Sequence, residues 1–268
     1  MELVYRYDGS FPGLLTCVFH SIADKQLPAA ILPPDSDETF LYPERQITTD
    51  EAKARRVAVS IPKRISDEAW ELTWRGYLTC HPQKELLVVN FLRMGYSMGA
   101  KVVNNLQNDT VSALSKAVYH LNHEAHLLTG FARFSIHEGA MTAVVAPKNL
   151  VLPLIGPHFK ARYPNENFMI YDKTHEMAYF YHQGKAAIQP IEALTLPPAS
   201  AEEMRFRQMW KGYYDAIAIE GRINPRCRMG HMPKRYWAYL TELNPDYTLP
   251  AAPQPTQTAL ANQLSLQD

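Results

Sequence analysis

The chain has 268 residues, 46% of them hydrophobic, and its 27 Lys+Arg balance 27 Asp+Glu to give no net charge at pH 7. That length and apolar content are enough for one large or two small domains with a real core, and they exclude a wholly disordered chain. The charge balance excludes a global field that would hold polyanions, so any nucleic-acid surface must come from cations segregated on one face.

The opening MELVYRYDGSF carries acids and aromatics where a secretory leader has a basic start and an apolar stretch, and no run of about 18 apolar residues occurs. Cys17, Cys80 and Cys227 are odd in number and far apart, with no spacing that would hold zinc or an iron–sulfur cluster. A cytoplasmic protein in a reducing compartment, with no membrane partner, is expected. Leu3-Val4-Tyr5-Arg6-Tyr7 alternates as a short strand, and Asp8-Gly9-Ser10 supplies a turn and cap for a helix from about Pro12 to Ala23. From Thr48 to about Leu128 apolar residues recur at three and four. Thr49-Asp50-Glu51 starts one helix and Ser66-Asp67-Glu68 a second through Trp70 and Trp74, with further helices around Leu86 and Leu114.

The periodicity then changes. Phe131 to Ile136 and Met141 to Val145 flank His137-Glu138-Gly139 and predict a hairpin, followed by a short helix near Leu154 to Tyr163. The runs Phe168 to Tyr171, Ala178 to His182 and Ala186 to Gln189 are separated by turn residues and predict an antiparallel meander. Pro197-Pro198-Ala199-Ser200 ends the sheet and caps a helix from about Ala201 to Glu220, and a last short helix is expected at Lys234 to Leu243. The expected architecture is α+β: a mostly helical N-terminal half packed with an antiparallel sheet of five strands, or six if Leu3 to Tyr7 joins, closed by C-terminal helices. It forms a single domain over 1–243, with a helical part at about 12–128, a sheet part at about 131–190 and C-terminal helices at about 201–243. The stretch 244–268, rich in Pro, Ala, Gln and Thr, is expected to be a disordered tail.

The segment RINPRCRMGHMPKR carries Arg222, Arg226, Arg228, Lys234 and Arg235 with His231 and no acid, and Tyr236-Trp237-Ala238-Tyr239 follows it. Phosphates need charge and bases need flat faces, so cations beside aromatics point to nucleic acid, with Tyr236 or Trp237 as the stacking surface. A solvated basic turn with buried aromatics is the competing reading. Arg133 between Phe131 and Phe134, with His158 and Arg162 in GPHFKARYP, suggests a second patch. There an ion pair of Arg133 with Glu124, Glu138 or Asp172 and a phosphate contact both remain open.

His120, His123 and His126 recur at three on a predicted helix, but they lack the H-E-x-x-H spacing, and no metal is expected. There is no P-loop and no G-x-G-x-x-G, and Gly95-Tyr96-Ser97-Met98-Gly99 lies in a predicted helix instead of after a strand, so no cofactor is expected. The groups that offer acid/base chemistry are Glu124, His126, His158 and Asp172, although closing a turn after its strand is the first reading of Asp172. The rival readings are thus a nucleic-acid-processing enzyme using these four, which requires them to converge in one pocket, and a protein-only adaptor.

Four ordered stretches, YDGSFPGLLTCVF, EAHLLTGFARF, VLPLIGPHFKARYPNENFMIYD and RINPRCRMGHMPKRYWAYLTEL, resemble the DUF4130 family, the "probable DNA metabolism protein" group, over almost all of the chain to about Leu243. The resemblance implies an accessory role in DNA repair or modification beside a radical-SAM DNA modification or repair protein. Arg133, His158, Arg162, Asp172, Arg222, Met232, Lys234 and Trp237 are among the matched positions. Longer members resemble fusions to a uracil-DNA glycosylase-like domain; the short polar stretch after Leu243 does not suit one, so uracil excision is not expected of this chain.

Overall fold

Two Asx and Ser caps set the start of the chain's architecture, as seen in a computed structural model that describes residues 3–34, 36–137, 139–191, 194–219, 221 and 224–244. Asp8 accepts from the Ser10 amide and hydroxyl and from the Thr49 hydroxyl, and Ser10 Oγ in turn accepts from Gly13 N at 3.0 Å to cap helix α1 (Phe11–Ala23). A Cβ on Gly13 would lie 2.2 Å from Asp8 Oδ1, so only glycine fits this turn. The chain divides into two compact units, Met1–Glu124 with Lys148–Val151, and Ala125–Pro147 with Leu152–Asp268.

In the first unit β1 (Val4–Arg6) lies between β2 (Ala30–Leu32) and β3 (Glu44–Gln46) in a three-stranded parallel sheet. This corrects the expectation that Leu3 to Tyr7 adds a sixth strand to the later sheet: α1 carries the chain back so that β2 runs parallel to β1. Asp50 caps α2 (Glu51–Arg64) through Lys53 N, and Ser66 caps α3 (Asp67–Leu78) through Ala69 N, at the starts read from the sequence. Helix α4 (Lys84–Met98) runs into a 3-10 turn at Gly99–Asn104, and α5 spans Asp109–Phe131, its residues beyond Glu124 belonging to the second unit. Leu14, Ile61, Ala69, Phe91, Leu92 and Leu114 are fully buried together in this unit's core. The 21 residues Lys84–Asn104 are long and apolar enough to pass for a membrane span, and Val88, Phe91 and Leu92 within them pack in that core.

The second unit holds a five-stranded sheet in the order β4 (Phe134–His137), β5 (Ala140–Val145), β6 (Phe168–Asp172), β7 (Met177–His182), β8 (Lys185–Pro190). The pairs β4–β5, β6–β7 and β7–β8 are antiparallel, whereas β5 and β6 are parallel, so the sheet is mixed and not wholly antiparallel as expected. Helix α6 (Leu152–Arg162) is the reason, because a helical crossover carries the chain back to the end of the sheet where β5 began, so that β6 runs in the same direction. A Cβ on Gly156 of α6 would lie 2.2 Å from a ring carbon of Tyr179 on β7, which fixes how closely this helix covers the sheet.

Ser200 caps α7 (Ala201–Ala216), which ends short of the expected Glu220. Asn224 and Pro225 then start a helix that the sequence reading missed, α8 (Pro225–His231), and a 3-10 helix occupies Lys234–Tyr239. Asn244 is still held, its side chain donating to Ala238 O, while 245–268, expected to be disordered, lies outside the described residues.

Candidate nucleic-acid interface

Helix α8 and the 3-10 turn after it bring the basic segment into one short stretch. Arg226, Arg228, Lys234 and Arg235 are all exposed, and Arg222 lies outside the described residues. Among the described residues, Arg226, Arg228 and Lys234 make no ion pair with a carboxylate. Trp237 is half-buried, its indole N–H donates to Met232 O at 2.8 Å, and the Arg228 guanidinium and the Lys234 ammonium lie 5.0 Å and 5.9 Å from its ring centre. The aromatic ring thus holds two cations in place. Tyr236 is 2% exposed and packs on Phe131, with its hydroxyl accepting from Arg235 at 2.6 Å. Its burial leaves no face open to stack on, whereas Trp237 is half-buried.

Arg133 and Arg207 are used differently. Arg133 grips Glu242 with two bonds, at 3.1 Å and 2.6 Å, and also donates to Gly130 O. Glu242 is 2% exposed and accepts a third bond from Trp210 Nε1 at 3.0 Å. Burial alone would raise the Glu242 carboxyl, but bonds from Arg133, Trp210 and the backbone outweigh it and hold it below the usual carboxylate range. The ion-pair reading of Arg133 is therefore the one realised, with a partner 109 residues away in place of Glu124, Glu138 or Asp172. Arg207 pairs in the same way with Glu203 at 2.9 Å and donates to Ser135 Oγ, while Glu203 accepts from Ile136 N on β4. Glu203 is also lowered, hydrogen bonds from Arg207 and Ser135 overcoming its burial.

These two networks flank β4 in the second unit. A cleft of about 410 Å³ is lined by Arg133, Ser135, Arg207, Pro197, Tyr239 and Asn244. A wider groove of about 1110 Å³ is lined by Phe134, Arg162, Tyr163, Phe206, Met209 and Trp210. Arg162 lies on this groove, its Nε 3.3 Å from the Tyr163 hydroxyl. Along α7, Phe206, Met209, Trp210 and Tyr213 are 41–67% exposed although they recur at the spacing of a buried face. The helix was legible in the sequence; its exposed apolar side was not.

None of Glu124, His126, His158 and Asp172 lines either cleft. Glu124 is buried and accepts from the amides of Lys148 and Asn149 and from the Asn149 side chain, which ties the 148–151 segment to the first unit. Asp172 is fully buried and closes the turn after β6 by accepting from Thr174 N, His175 N and His175 Nδ1, the role the sequence suggested first. His126 and His158 are exposed, His158 edge-on to Phe159. His120 and His123 are likewise exposed around Tyr119, and among the described residues no three His, Cys, Asp or Glu side chains group as metal ligands would.

The fold and site define a two-unit α+β protein that presents an exposed, carboxylate-free cationic helix beside a tryptophan. The model of the family described as a domain of unknown function, DUF4130, matches residues 82–242, and the chain belongs to that family. No curated protein and no solved structure matches it.

Proposed function

We propose that this protein is a cytoplasmic DNA-binding accessory factor in DNA repair or modification, acting beside a radical-SAM partner. The observation that carries the DNA-binding reading is the α8 segment: Arg226, Arg228 and Lys234 are exposed and, among the described residues, without carboxylate partners, next to a half-buried Trp237. Surface cations that stabilise a fold sit opposite acids; cations held on an indole and left without acids are offered to phosphate. The repair context and the radical-SAM partner rest on the resemblance of the four sequence motifs to the "probable DNA metabolism" group.

Fluorescence-anisotropy titration against single-stranded and duplex DNA over a salt series tests this. With Arg222 included, five phosphate contacts give a log–log slope of about −3.5 on single strands and about −4.5 on duplex. Arg226→Ala, Arg228→Ala and Lys234→Ala together reduce the slope by roughly 2 to 3 units. Salt-independent binding, or a slope unchanged in the triple variant, removes phosphate capture from this segment.

A second reading, docking of a protein partner, is supported by the exposed apolar side of α7. Phe206→Ala with Met209→Ala would abolish capture of the radical-SAM protein in a pull-down while leaving the DNA titration unchanged; capture undiminished by these changes would sink it.

A further inference from the structure

We infer that the outer face of α2 is a second docking surface for the backbone of duplex DNA, built in the first unit and outside the family-matched residues. Helix α2 carries Lys53, Arg55, Arg56, Lys63 and Arg64 against the single acid Glu51. Lys53 is paired with the capping Asp50 at 3.2 Å. The remaining four cations are exposed, and among the described residues none of them forms an ion pair.

Helices α3 and α7 treat exposed charge differently. Arg75 pairs with Glu71 on α3, and Lys211 pairs with Asp215 on α7, each four residues apart, the arrangement that steadies a solvated helix face. On α2 the four like charges beyond Lys53 are gathered without an acid paired to them among the described residues, which costs helix stability at low salt, and a polyanion relieves that cost. The cations also come in two adjacent pairs eight residues apart, about 12 Å along the helix axis. That separation is about the width of a B-form major groove, so the two pairs match phosphates of opposite strands.

Half of these charges are held in position. The Arg56 guanidinium lies 5.7 Å from the Phe19 ring centre and that of Arg64 lies 5.4 Å from Tyr96, whose hydroxyl is 2.6 Å from Ser60 Oγ. Ala52, Val59 and Ser60 line the same shallow surface as the four cations. The apolar residues Ala54, Val57 and Ile61 are turned into the core, leaving Val59 as the one large apolar side chain exposed on α2. A helix that lies in a membrane surface offers an apolar stripe, which α2 has already buried. The choice of DNA as the polyanion rests on the function proposed above; the location of the surface does not.

The test is an anisotropy titration of the full chain with a short duplex over a salt series, run beside the α8 triple variant. Added to the five contacts of the α8 region, the four α2 cations bring the expected wild-type duplex slope to about −8, and the variant Arg55→Gln, Arg56→Gln, Lys63→Gln, Arg64→Gln is expected to lower it by about 3.5 units. Because Arg56 and Arg64 also contact rings, Arg55→Gln with Lys63→Gln is measured separately and is expected to lower the slope by about half as much. Wild-type slopes in this double variant, with an unchanged thermal melt, overturn the inference. So does binding to phosphatidylserine vesicles that the same substitutions abolish while duplex binding persists. A slope lowered by the α2 changes but not by the α8 changes sustains this inference and removes the α8 reading; the reverse removes this inference alone.

Discussion

Both units bury glutamates, but they do so under opposite electrostatic conditions. In the first unit Glu85 accepts from the Tyr7 hydroxyl at 3.0 Å and, among the described residues, forms no ion pair, so burial raises its carboxyl above the usual range despite that bond and the nearby Lys84 charge. The same desolvation, with the negative charge of Glu85 beside it, pushes the Tyr7 phenol upward, and burial drives the Cys17 thiol up to about 12. In the second unit Glu242 and Glu203 each face an arginine and are lowered. Burial is common to all three; what differs is whether an arginine was placed within bonding distance.

The largest effect expected from breaking this contrast is at Glu242. Glu242→Ala strands the Arg133 guanidinium and the Trp210 N–H, and urea denaturation should show a loss of about 3 kcal/mol. Next is the response to acid. Glu242 and Glu203, lowered in the folded state, contribute stability that is present above the ordinary carboxylate range and is lost as pH falls through their folded values. Glu85, raised in the folded state, contributes in the opposite sense, with stability that is complete below the ordinary range and lost as pH rises through its folded value. Hydrogen exchange across a pH series should therefore show the second unit losing protection first on acidification, and equal loss in both units would contradict the contrast. Glu85→Gln keeps an acceptor for Tyr7 while removing the charge, so thermal melts at neutral pH should change by less than about 1 kcal/mol, in the stabilising direction. Smallest is the effect of Arg226→Ala, Arg228→Ala and Lys234→Ala on folding, within about 0.5 kcal/mol each, because these side chains anchor no carboxylate. A larger loss would place them with Arg133 as structural groups.

What the sequence made legible was local. Ser10, Asp50, Ser66 and Ser200 cap the helices they announce because a cap needs only the next three residues. Strands β2 and β3 span three residues each and carry no alternation long enough to read. The parallel β5–β6 pair was signalled by the helix expected between the hairpin and the meander, but the whole sheet was expected to be antiparallel. Asn224-Pro225 was an equally readable helix start for α8. The partner of Arg133 was beyond reach, because nothing near Arg133 in the chain selects Glu242 over any other acid. The exposure of Arg226, Arg228 and Lys234 was expected from their charge; that no carboxylate among the described residues meets them required the fold.

The contact between Glu203 and Ile136 also bears on how the protein behaves at high concentration. Strand β4 borders the sheet, and its outer amides are a template on which a strand from another molecule can add. At Ile136 that amide is already occupied by a carboxylate oxygen at 3.2 Å, and the acid is itself neutralised by Arg207. An incoming strand would have to displace an ion pair to gain one hydrogen bond, so this border of the sheet resists growth into fibrils without needing a covering strand.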